Sequence, residues 1–403
     1  MRAQIGTLIV ATSLVQLANG FFGTFFSLRV AAAAFNPTLS GLVLSGFFAG
    51  FTLAAVVCGR MIEQVGHIRA YAAFAGLVVA ATALMPILTG PWPWIAMRAV
   101  IGFGCAGLFV TTESWLNAKA QPVERGRVFS IYMVGTFIAL AAGQILIGWI
   151  EIDTFAPFNA IATLFAIALV MVCMTRAEPP LVQATAPLPY GQLSRTAPIG
   201  VTGCVVSGLI TSMFYALVPA WMQSEGVAQT TIALFMLVAV LGGLAFQIPV
   251  GRLSDRSDRR IVLSGVSLSV TGVAVALVLL PHTLAFVVPL AAALGGCMST
   301  LYPVCVAHAH DRMPADRIVA VSGRLILVSG IGSVIGPIIG TAVMGPFGLD
   351  GVLYLMAVLA SLLSAAALAA TWVRAEPRHL TRPFSVLTPQ AAPLAHNAFE
   401  EAA

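Results

Sequence analysis

Two charged residues in a long apolar stretch are the first candidates for chemistry. Arg98 and Glu113 lie 15 residues apart in a segment that is otherwise mostly apolar or small. On one helix that spacing corresponds to about 22 Å, so the two side chains cannot pair with each other. Arg98 is suited either to bind an anionic group through two parallel hydrogen bonds or to oppose a carboxylate that takes up protons. Both roles stay open.

Glu113 also has two interpretations. Its carboxylate can protonate as part of a proton-coupled cycle, or it can form a structural ion pair. The available partners are the cations at nearby segment ends, Arg60, Arg125 and Arg127. Arg324, near the start of a later apolar segment, either extends to the membrane interface or faces the protein interior as a second cation. With these arginines available and no acid near the middle of any apolar segment, an anionic or polar-neutral ligand is favoured over a cation.

A polar stripe at helical spacing recurs on two apolar segments. The first stripe comprises Gln16, Asn19, Gly20, Gly23 and Ser27, and the second comprises Thr211, Ser212 and Tyr215. Residues three and four apart share one helix face, so two matching stripes predict a central cavity that both line. The alternative is close helix packing through small residues, which explains the glycines but explains Gln16 and Asn19 less well.

Signatures of enzymes and cofactor sites are weak or missing. Gly102, Gly104 and Gly107 match the GxGxxG pattern of dinucleotide-binding sites, but no strand precedes them and no acid follows about 20 residues later. HExxH, GxSxG and GxxxxGK[ST] do not occur. His308 and His310 are two residues apart and therefore on different helix faces. We expect no catalytic residue, no cofactor and no metal site.

The elements that must position these residues are membrane helices. The chain has 403 residues, of which 59% are hydrophobic and only 9% charged, and its mean hydropathy is +0.97. Such a chain cannot cover a water-soluble surface with charge, so it must sit in a lipid bilayer. The apolar runs predict an all-α integral membrane protein with twelve spans of about 20 residues each. They are placed at 6–29, 39–60, 70–89, 93–117, 127–150, 156–176, 198–220, 229–251, 260–280, 283–308, 318–342 and 350–374.

The twelve spans are predicted to form two copies of a six-helix unit. Gly59-Arg60-Met61-Ile62-Glu63 returns as Gly251-Arg252-Leu253-Ser254-Asp255, and Pro122-Val123-Glu124-Arg125 returns as Pro314-Ala315-Asp316-Arg317. Both pairs are separated by about 192 residues, which indicates a duplication. We predict an N-terminal bundle at 1–176, a cytoplasmic linker at 177–197, a C-terminal bundle at 198–374 and a disordered cytoplasmic tail at 375–403.

Charge placement predicts the orientation. Of the 20 Lys and Arg residues, all except Arg29 and Arg98 fall at the N-terminus, at every second loop or in the tail. Basic loops stay on the cytoplasmic side, so both termini are predicted to be cytoplasmic in a bacterial inner membrane. The basic residues are spread over short loops without interleaved aromatics, which argues against a nucleic-acid partner.

Four charged loop residues are candidates for controlling conformation. Glu63 and Asp255 each follow a Gly-Arg step by a few residues, and Arg69 and Arg256 lie close by. A carboxylate there can receive an arginine or the positive end of a neighbouring helix and so hold one state of a moving bundle. The alternative is that these charges only fix the topology.

These loops resemble the signature of the major facilitator superfamily. GRMIEQVGHIR at 59–69 has Glu63 where the superfamily usually has Asp, and GRLSDRSDRR at 251–260 keeps Asp255. RAVIGFGCA at 98–106 is similar to its helix 4 motif, while the GPxxG around Gly336 resembles its helix 5 antiporter signature in the other half. Three further stretches resemble a YcaD-like branch: TTESWLN at 111–117, ERGRVFSIYM at 124–133 and TLYPV at 300–304.

The resemblance covers all twelve spans and implies a secondary transporter with two parallel repeats around a central cavity. We expect alternating access, coupling to protons, a small-molecule cargo and a monomer in the bilayer. Efflux of amphipathic drugs by proton antiport is the alternative transport function. A channel or an intramembrane enzyme is the alternative of a different class.

Overall fold

The computed structural model describes residues 2–121, 124–175, 190–314 and 317–373. All regular structure in these ranges is helical, and twelve helices are long and apolar enough to cross a membrane. The first six are α1 (Arg2–Ala32), α2 (Pro37–Val65), α3 (His67–Leu84), α4 (Pro91–Lys119), α5 (Arg125–Ile145) and α6 (Ala156–Cys173). A short helix, α7 (Tyr190–Thr196), precedes α8 (Pro198–Ser224), α9 (Gln229–Arg256), α10 (Arg259–Leu279), α11 (Leu284–His310), α12 (Ile318–Phe347) and α13 (Gly351–Val373).

The twelve predicted spans coincide with the twelve long helices, but most helices are longer than predicted. For example, α2 extends to Val65 and α12 to Phe347, each five residues beyond the predicted end. Hydropathy marks the segment that matches the bilayer core, whereas helices continue through polar turns outside it. In contrast, α3 ends at Leu84 instead of 89.

The predicted linker and tail lie mostly outside the described residues. Residues 190–196 of the predicted linker form α7, while 177–189 and the tail at 375–403 are not among the described ranges. The boundaries of the two bundles therefore stay a prediction.

Local sequence explains how the tight turns between helices form. Asn36 accepts a hydrogen bond from the Leu39 amide at 2.8 Å and caps α2, whose first residue is Pro37. Gly66 joins α2 to α3 at a φ of 80°, a conformation that favours glycine. This turn holds Glu63 and Arg69 on either side of it.

Glycines set the closest helix contacts in both halves. A side chain at Gly50 would collide with the backbone of Ala99 on α4, and one at Gly242 would collide with Ala292 on α11. The two contacts are repeat-related, so the duplication extends to the packing of α2 on α4 and of α9 on α11. Close approach of backbones is how helices associate when lipid offers no hydrophobic driving force between them.

Alternating helix directions give the bundle two faces. The turns α2–α3, α4–α5, α9–α10 and α11–α12 share one face, which we call the basic face because its helix ends carry Arg69, Arg125, Arg259 and Arg312. The loops α1–α2, α3–α4, α5–α6, α8–α9, α10–α11 and α12–α13 share the other, which we call the opposite face. Arg29 lies at the opposite face and pairs with Asp153 at 2.8 Å, which accounts for one of the two exceptions in the charge pattern.

Candidate functional site

The two halves meet mainly along three helix pairs, α1 with α8, α2 with α12, and α5 with α9. Near the opposite face, the Ser27 hydroxyl donates to the Ala216 carbonyl at 2.6 Å. Gln229, the first residue of α9, donates through its amide to the carbonyls of Ile147 and Ile150, the latter at 3.1 Å. These hydrogen bonds join the halves at the opposite face.

A main cavity of about 880 Å³ lies between the halves. Aromatic rings of the first half line one side of it: Phe47, Phe48, Phe51 and Phe137. Hydroxyl side chains of α8, α11 and α12 line the other: Ser207, Thr211, Tyr215, Ser299, Tyr302, Ser329 and Ser333. The hydroxyl oxygens of Ser207, Tyr302 and Ser329 are buried and have no hydrogen-bond partner among the described residues. Because buried polar groups in proteins are nearly always paired, these three are candidates for contact with a ligand.

A second chamber of about 570 Å³ shares part of this lining. We call it the Arg98 chamber. Its walls are Asn19, Gly20, Gly23, Leu44, Phe47, Phe48, Arg98, Leu140, Gln144, Tyr215 and Ala216. Arg98 is the only charged residue in the described lining of either space.

Arg98 is held by aromatic rings and not by an acid. Its side chain is 6% exposed, and the guanidinium carbon lies 5.0, 4.6 and 4.7 Å from the ring centres of Phe22, Phe26 and Phe47. Each cation–π contact contributes about 0.5–2 kcal/mol, so three together approach the roughly 2.5–3.5 kcal/mol that an arginine costs at the centre of a membrane helix. No described residue gives Arg98 a hydrogen bond or an ion pair. The rings stabilise the charge and leave its N–H donors available to a ligand.

A buried glutamine holds the wall of the Arg98 chamber in place. The Gln144 amide donates to the Gly20 carbonyl at 2.9 Å and accepts from the Thr24 hydroxyl at 2.6 Å. These two bonds tie α5 to α1. Gln144 is thus paired within the protein, and it positions the backbone around Gly20 and Gly23.

Glu113 lies inside the first half, away from the lining of both cavities. Its carboxylate is 2% exposed and accepts a hydrogen bond from the Tyr132 hydroxyl at 3.1 Å. The preceding residue of α4, Thr112, accepts a hydrogen bond from the Thr12 hydroxyl of α1 at 3.1 Å. Glu113 is therefore a buried carboxylate in a polar contact between α4 and α5.

The second loop copy forms a buried charge cluster at the basic face. Arg259 is 1% exposed, and its Nε lies 2.6 Å from Asp311 Oδ2 while its Nη1 lies 3.4 Å from Asp255 Oδ1. The same Nη1 donates to the Ser254 hydroxyl at 3.0 Å. Asp255 therefore acts through Arg259, which connects the end of α9 to the end of α11.

Asp258 and Arg260 extend the charge cluster toward α13. The Arg260 guanidinium lies 2.6 Å from Asp258 and donates to the Ala370 carbonyl at 2.7 Å. Burial alone raises the pKa of Asp258, but side-chain and backbone hydrogen bonds from Arg260 outweigh it, and the net pKa is below its ordinary value. The carboxylate is therefore held in its charged form.

The first loop copy is built differently. Glu63 and Arg69 are exposed, and the position that corresponds to Arg259 is His67. The buried His67 ring forms one hydrogen bond at 3.0 Å, between its Nε2 and the Ser114 hydroxyl. The first half thus has a single neutral contact where the second half has ion pairs.

A family model decides what kind of protein this is. The model described as Major Facilitator Superfamily matches residues 8–243 and again residues 200–399. The chain belongs to the major facilitator superfamily. Within this superfamily, the chain is 29% identical over 347 residues to the uncharacterized MFS-type transporter YcaD of Escherichia fergusonii, with 85% of this chain and 89% of that one covered. Its Salmonella arizonae counterpart is 29% identical over 353 residues, with 87% and 91% covered. The predicted resemblance to YcaD is confirmed.

Solved structures agree with the superfamily fold. The nucleoside transporter NupG superimposes with a TM-score of 0.73 at 14% identity, covering 91% of this chain and 98% of that one. A bacterial homologue of the human lysosomal transporter Spinster, inward-facing and unoccupied, gives 0.75 at 14% identity, covering 92% and 98%. At this identity the likeness concerns the fold alone.

The superfamily fold distributes the sequence-predicted residues unevenly. Asn19, Gly23 and Arg98 line the Arg98 chamber, and Thr211 lines the main cavity, while Tyr215 lines both. The other three cavity candidates are Gln16, Ser212 and Arg324. Gln16 accepts a weak hydrogen bond from Asn19 at 3.4 Å, and Ser212 bonds to its own helix at Leu209 and faces Gly336 of α12. Arg324 is half-buried on α12 outside both linings.

Several residues of this superfamily member were not found by sequence reasoning. The charge-cluster residues Arg259 and Asp311 lie 52 residues apart along the chain, so only the fold shows their contact. Phe22, Phe26 and Phe47 surround Arg98, and we call them the Phe cage. In the sequence they cannot be distinguished from other apolar residues of membrane helices. For Arg259 the sequence did contain a signal. It lies four positions after Asp255, and residues at that spacing can pair on one helix face. Among the described residues, no group of His, Cys, Asp or Glu is arranged to hold a metal ion.

Proposed function

We propose that this protein is a secondary active transporter whose cargo binds in the main cavity and the Arg98 chamber. The observation that carries the proposal is Arg98, a buried cation of the first half that lines a chamber shared with the second half. It has aromatic neighbours but no hydrogen bond or ion pair among the described residues. Intramembrane charges are costly and therefore mark pathways for substrates or protons. The unpaired hydroxyls of Ser207, Tyr302 and Ser329 support a ligand site that both halves share.

Alternating access is proposed to proceed by rocking of the two halves. In this structure the halves are joined at the opposite face by Ser27 and Gln229. Opening that face must break these hydrogen bonds. Among the four loop candidates, Asp255 contacts Arg259 directly, while Glu63, Arg69 and Arg256 are exposed charges that can tune the same equilibrium.

Proton coupling is proposed to involve Glu113. A buried carboxylate that can exchange a proton couples ion movement to conformation when its surroundings differ between states. Tyr132 supplies one hydrogen bond to the carboxylate in this structure. The separation of Glu113 from the cavity lining suits a coupling role better than direct contact with cargo.

The proposed location is a bacterial inner membrane, with a monomer whose two termini and basic face are cytoplasmic. The support is the distribution of basic residues. Single-cysteine labelling in intact cells tests it. An impermeant reagent should label Glu151→Cys, Glu225→Cys and Asp350→Cys, and labelling of Thr185→Cys would contradict the orientation.

Efflux of amphipathic drugs by proton antiport is a second candidate function, because the main cavity is lined by four Phe rings. Apolar pockets with a few polar groups are typical of sites for amphipathic molecules. Proteoliposomes with an imposed proton gradient distinguish antiport from symport. In antiport the cargo and the protons cross the membrane in opposite directions, whereas in symport they cross in the same direction.

Exchange in proteoliposomes tests the transport function itself. Labelled organic anions, amino acids, sugars and amphipathic drugs would be screened for counterflow, in which external label enters against unlabelled cargo inside. We expect saturable exchange of one class, abolished when a thiol crosslinker bridges Ser27→Cys and Ala216→Cys in a cysteine-free background. Electrical conductance far above carrier turnover, or exchange that survives the crosslink, would contradict alternating access.

A further inference from the structure

The chemistry of the cargo can be narrowed from the two parts of the site. The Arg98 chamber offers one guanidinium whose carbon lies over three Phe rings and whose N–H donors are not used by described residues. A guanidinium is planar, so these donors lie in one plane. Planar anionic groups such as a carboxylate match that fork with two parallel hydrogen bonds. The chamber therefore selects for an anionic head group.

One cation supports one negative charge. Arg98 is the only charged residue in the described lining of the two spaces, and no acid lies among them. A second anionic charge in the same low-dielectric space would stay unpaired, which is strongly unfavourable. A neutral head group would leave the guanidinium itself unpaired. A monoanion satisfies both conditions.

The aromatic side of the adjoining cavity fits an apolar body. Phe47 and Phe48 belong to both linings, and Phe51 and Phe137 continue the aromatic surface into the larger space. A short hydrophilic anion would reach Arg98 without covering these rings.

We propose that the Arg98 chamber and the main cavity form one two-part site for an amphipathic organic monoanion. The anionic group accepts hydrogen bonds from Arg98, and the apolar body packs against Phe48, Phe51 and Phe137. This inference rests on the proposed transport function and assigns a substrate class to the same site. It explains why a strongly apolar cavity contains one buried arginine.

A set of four matched probes tests the substrate class by calorimetric titration of the purified protein. Naphthoate carries both parts, naphthamide lacks the charge, naphthylmethylammonium reverses it, and acetate lacks the body. We expect naphthoate to bind about tenfold or more tightly than the other three, the size expected for a charge-assisted contact in a buried site. Equal or tighter binding of naphthamide or of the ammonium would overturn the proposal.

Variants show whether the preference comes from Arg98. Arg98→Gln should bring naphthoate and naphthamide to about equal affinity, whereas Arg127→Gln, which removes an exposed charge, should leave the preference unchanged. Phe51→Ala should weaken both probes by the same factor. If Arg98→Gln does not fold, Arg98→Lys serves instead and should reduce the preference, because an ammonium lacks the planar fork. An undiminished preference in a folded Arg98 variant would overturn the assignment.

Counterflow separates this inference from the transport function. Exchange of a polar neutral solute such as labelled glucose, with no binding of naphthoate, would overturn the substrate class and leave transport established. Binding of naphthoate with Arg98-dependent preference, but without exchange of any probe or solute class, would support the site and contradict transport.

Discussion

The two repeats share one scaffold but hold different charges. The first half has Arg98 and the Glu113–Tyr132 pair inside the bundle, whereas the residues 192 positions later in the second half are the uncharged Leu290 and Cys305. The second half instead concentrates its charge at the basic face around Arg259.

This difference shows that the two copies of a duplicated bundle can keep the same packing and carry different functional charges. Packing glycines such as Gly50 and Gly242 are kept in both halves because both must bring helices into close contact. Interior charges are costly and are needed once per site, so one copy carries them. The ion-paired cluster of the second half holds the ends of α9, α10 and α11 as one unit. The first half is therefore proposed to supply the binding cation and the coupling carboxylate of the shared site, and the second half to control the conformational equilibrium.

The largest effect is expected from Arg98. Arg98→Ala should reduce both uptake and exchange about a hundredfold or more if the guanidinium binds cargo, because a buried charge-assisted contact is lost. Arg98→Lys should recover part of the activity. Leu290→Ala, 192 residues further along the chain, should have little effect. Loss of proton-driven uptake with intact exchange in Arg98→Ala would show a coupling role instead, and wild-type activity in both assays would leave Arg98 purely structural.

The next effect concerns stability and compares Arg259 with its repeat-related residue His67. Arg259→Gln removes the ion pairs that this buried arginine forms with Asp311 and Asp255 and should cost about 3–5 kcal/mol of unfolding free energy. His67→Gln removes one neutral hydrogen bond and should cost about 1 kcal/mol. Thermal unfolding of the two variants in detergent measures the difference. Equal decreases in Tm would mean that the two halves are not stabilised differently.

Glu113 should affect coupling alone. Glu113→Gln is expected to lower proton-driven uptake about tenfold or more, the size typical for loss of a proton-transferring group, while leaving cargo exchange near the wild-type rate. Cys305→Ser in the second half is the matched control and should change neither. If exchange falls as much as uptake, Glu113 supports the fold or the site and does not carry the coupled proton.

Asp255 and Glu63 compare the two loop copies directly. Asp255→Asn should slow transport about fivefold with cargo affinity largely unchanged, because its half-exposed contact with Arg259 contributes about 1 kcal/mol to one state. Glu63→Gln should have a smaller effect, since Glu63 is exposed. Transport and binding measured on both variants decide this. If neither variant has an effect, the two loop carboxylates do not control the conformational equilibrium.

The smallest effect is the acid sensitivity of the second half. The pKa of Asp258 is lowered from 3.8 in the folded protein, so its contribution to stability is complete above that value and is lost as the pH falls through the lowered pKa. Asp258→Asn should therefore flatten the decline of Tm below about pH 4. Glu151→Gln, an exposed carboxylate at the opposite face, is the control. A wild-type decline in Asp258→Asn would assign the sensitivity to other carboxylates.

Much of the fold was predictable from the sequence because a bilayer imposes a simple rule on it. Every spanning segment must satisfy its own backbone and present apolar side chains, so twelve apolar runs predict twelve helices. The positions at which the helices end were less predictable, as α2 and α12 show. Polar residues outside the bilayer core can either continue a helix or end it, so hydropathy does not mark the last turn. Candidate site residues were predictable where a polar residue interrupts apolar sequence, as at Arg98 and Asn19.

Sequence by itself determined the membrane class, the duplication, the superfamily resemblance and the unusual position of Arg98, since each depends on composition, spacing or local pattern. Only the tertiary structure decided which polar residues share a space. Gln16 and Ser212 belong to the same predicted polar stripes as Asn19 and Thr211, yet they face neighbouring side chains and helices instead of the cavities. Several contacts join residues that are distant in the chain: the Phe cage around Arg98, the hydrogen bonds of Gln144 that tie α5 to α1, and the Arg259–Asp311 ion pair. A helix turns by about 100° per residue, and how each helix is rotated against its neighbours is set by packing among all twelve, which no local pattern contains.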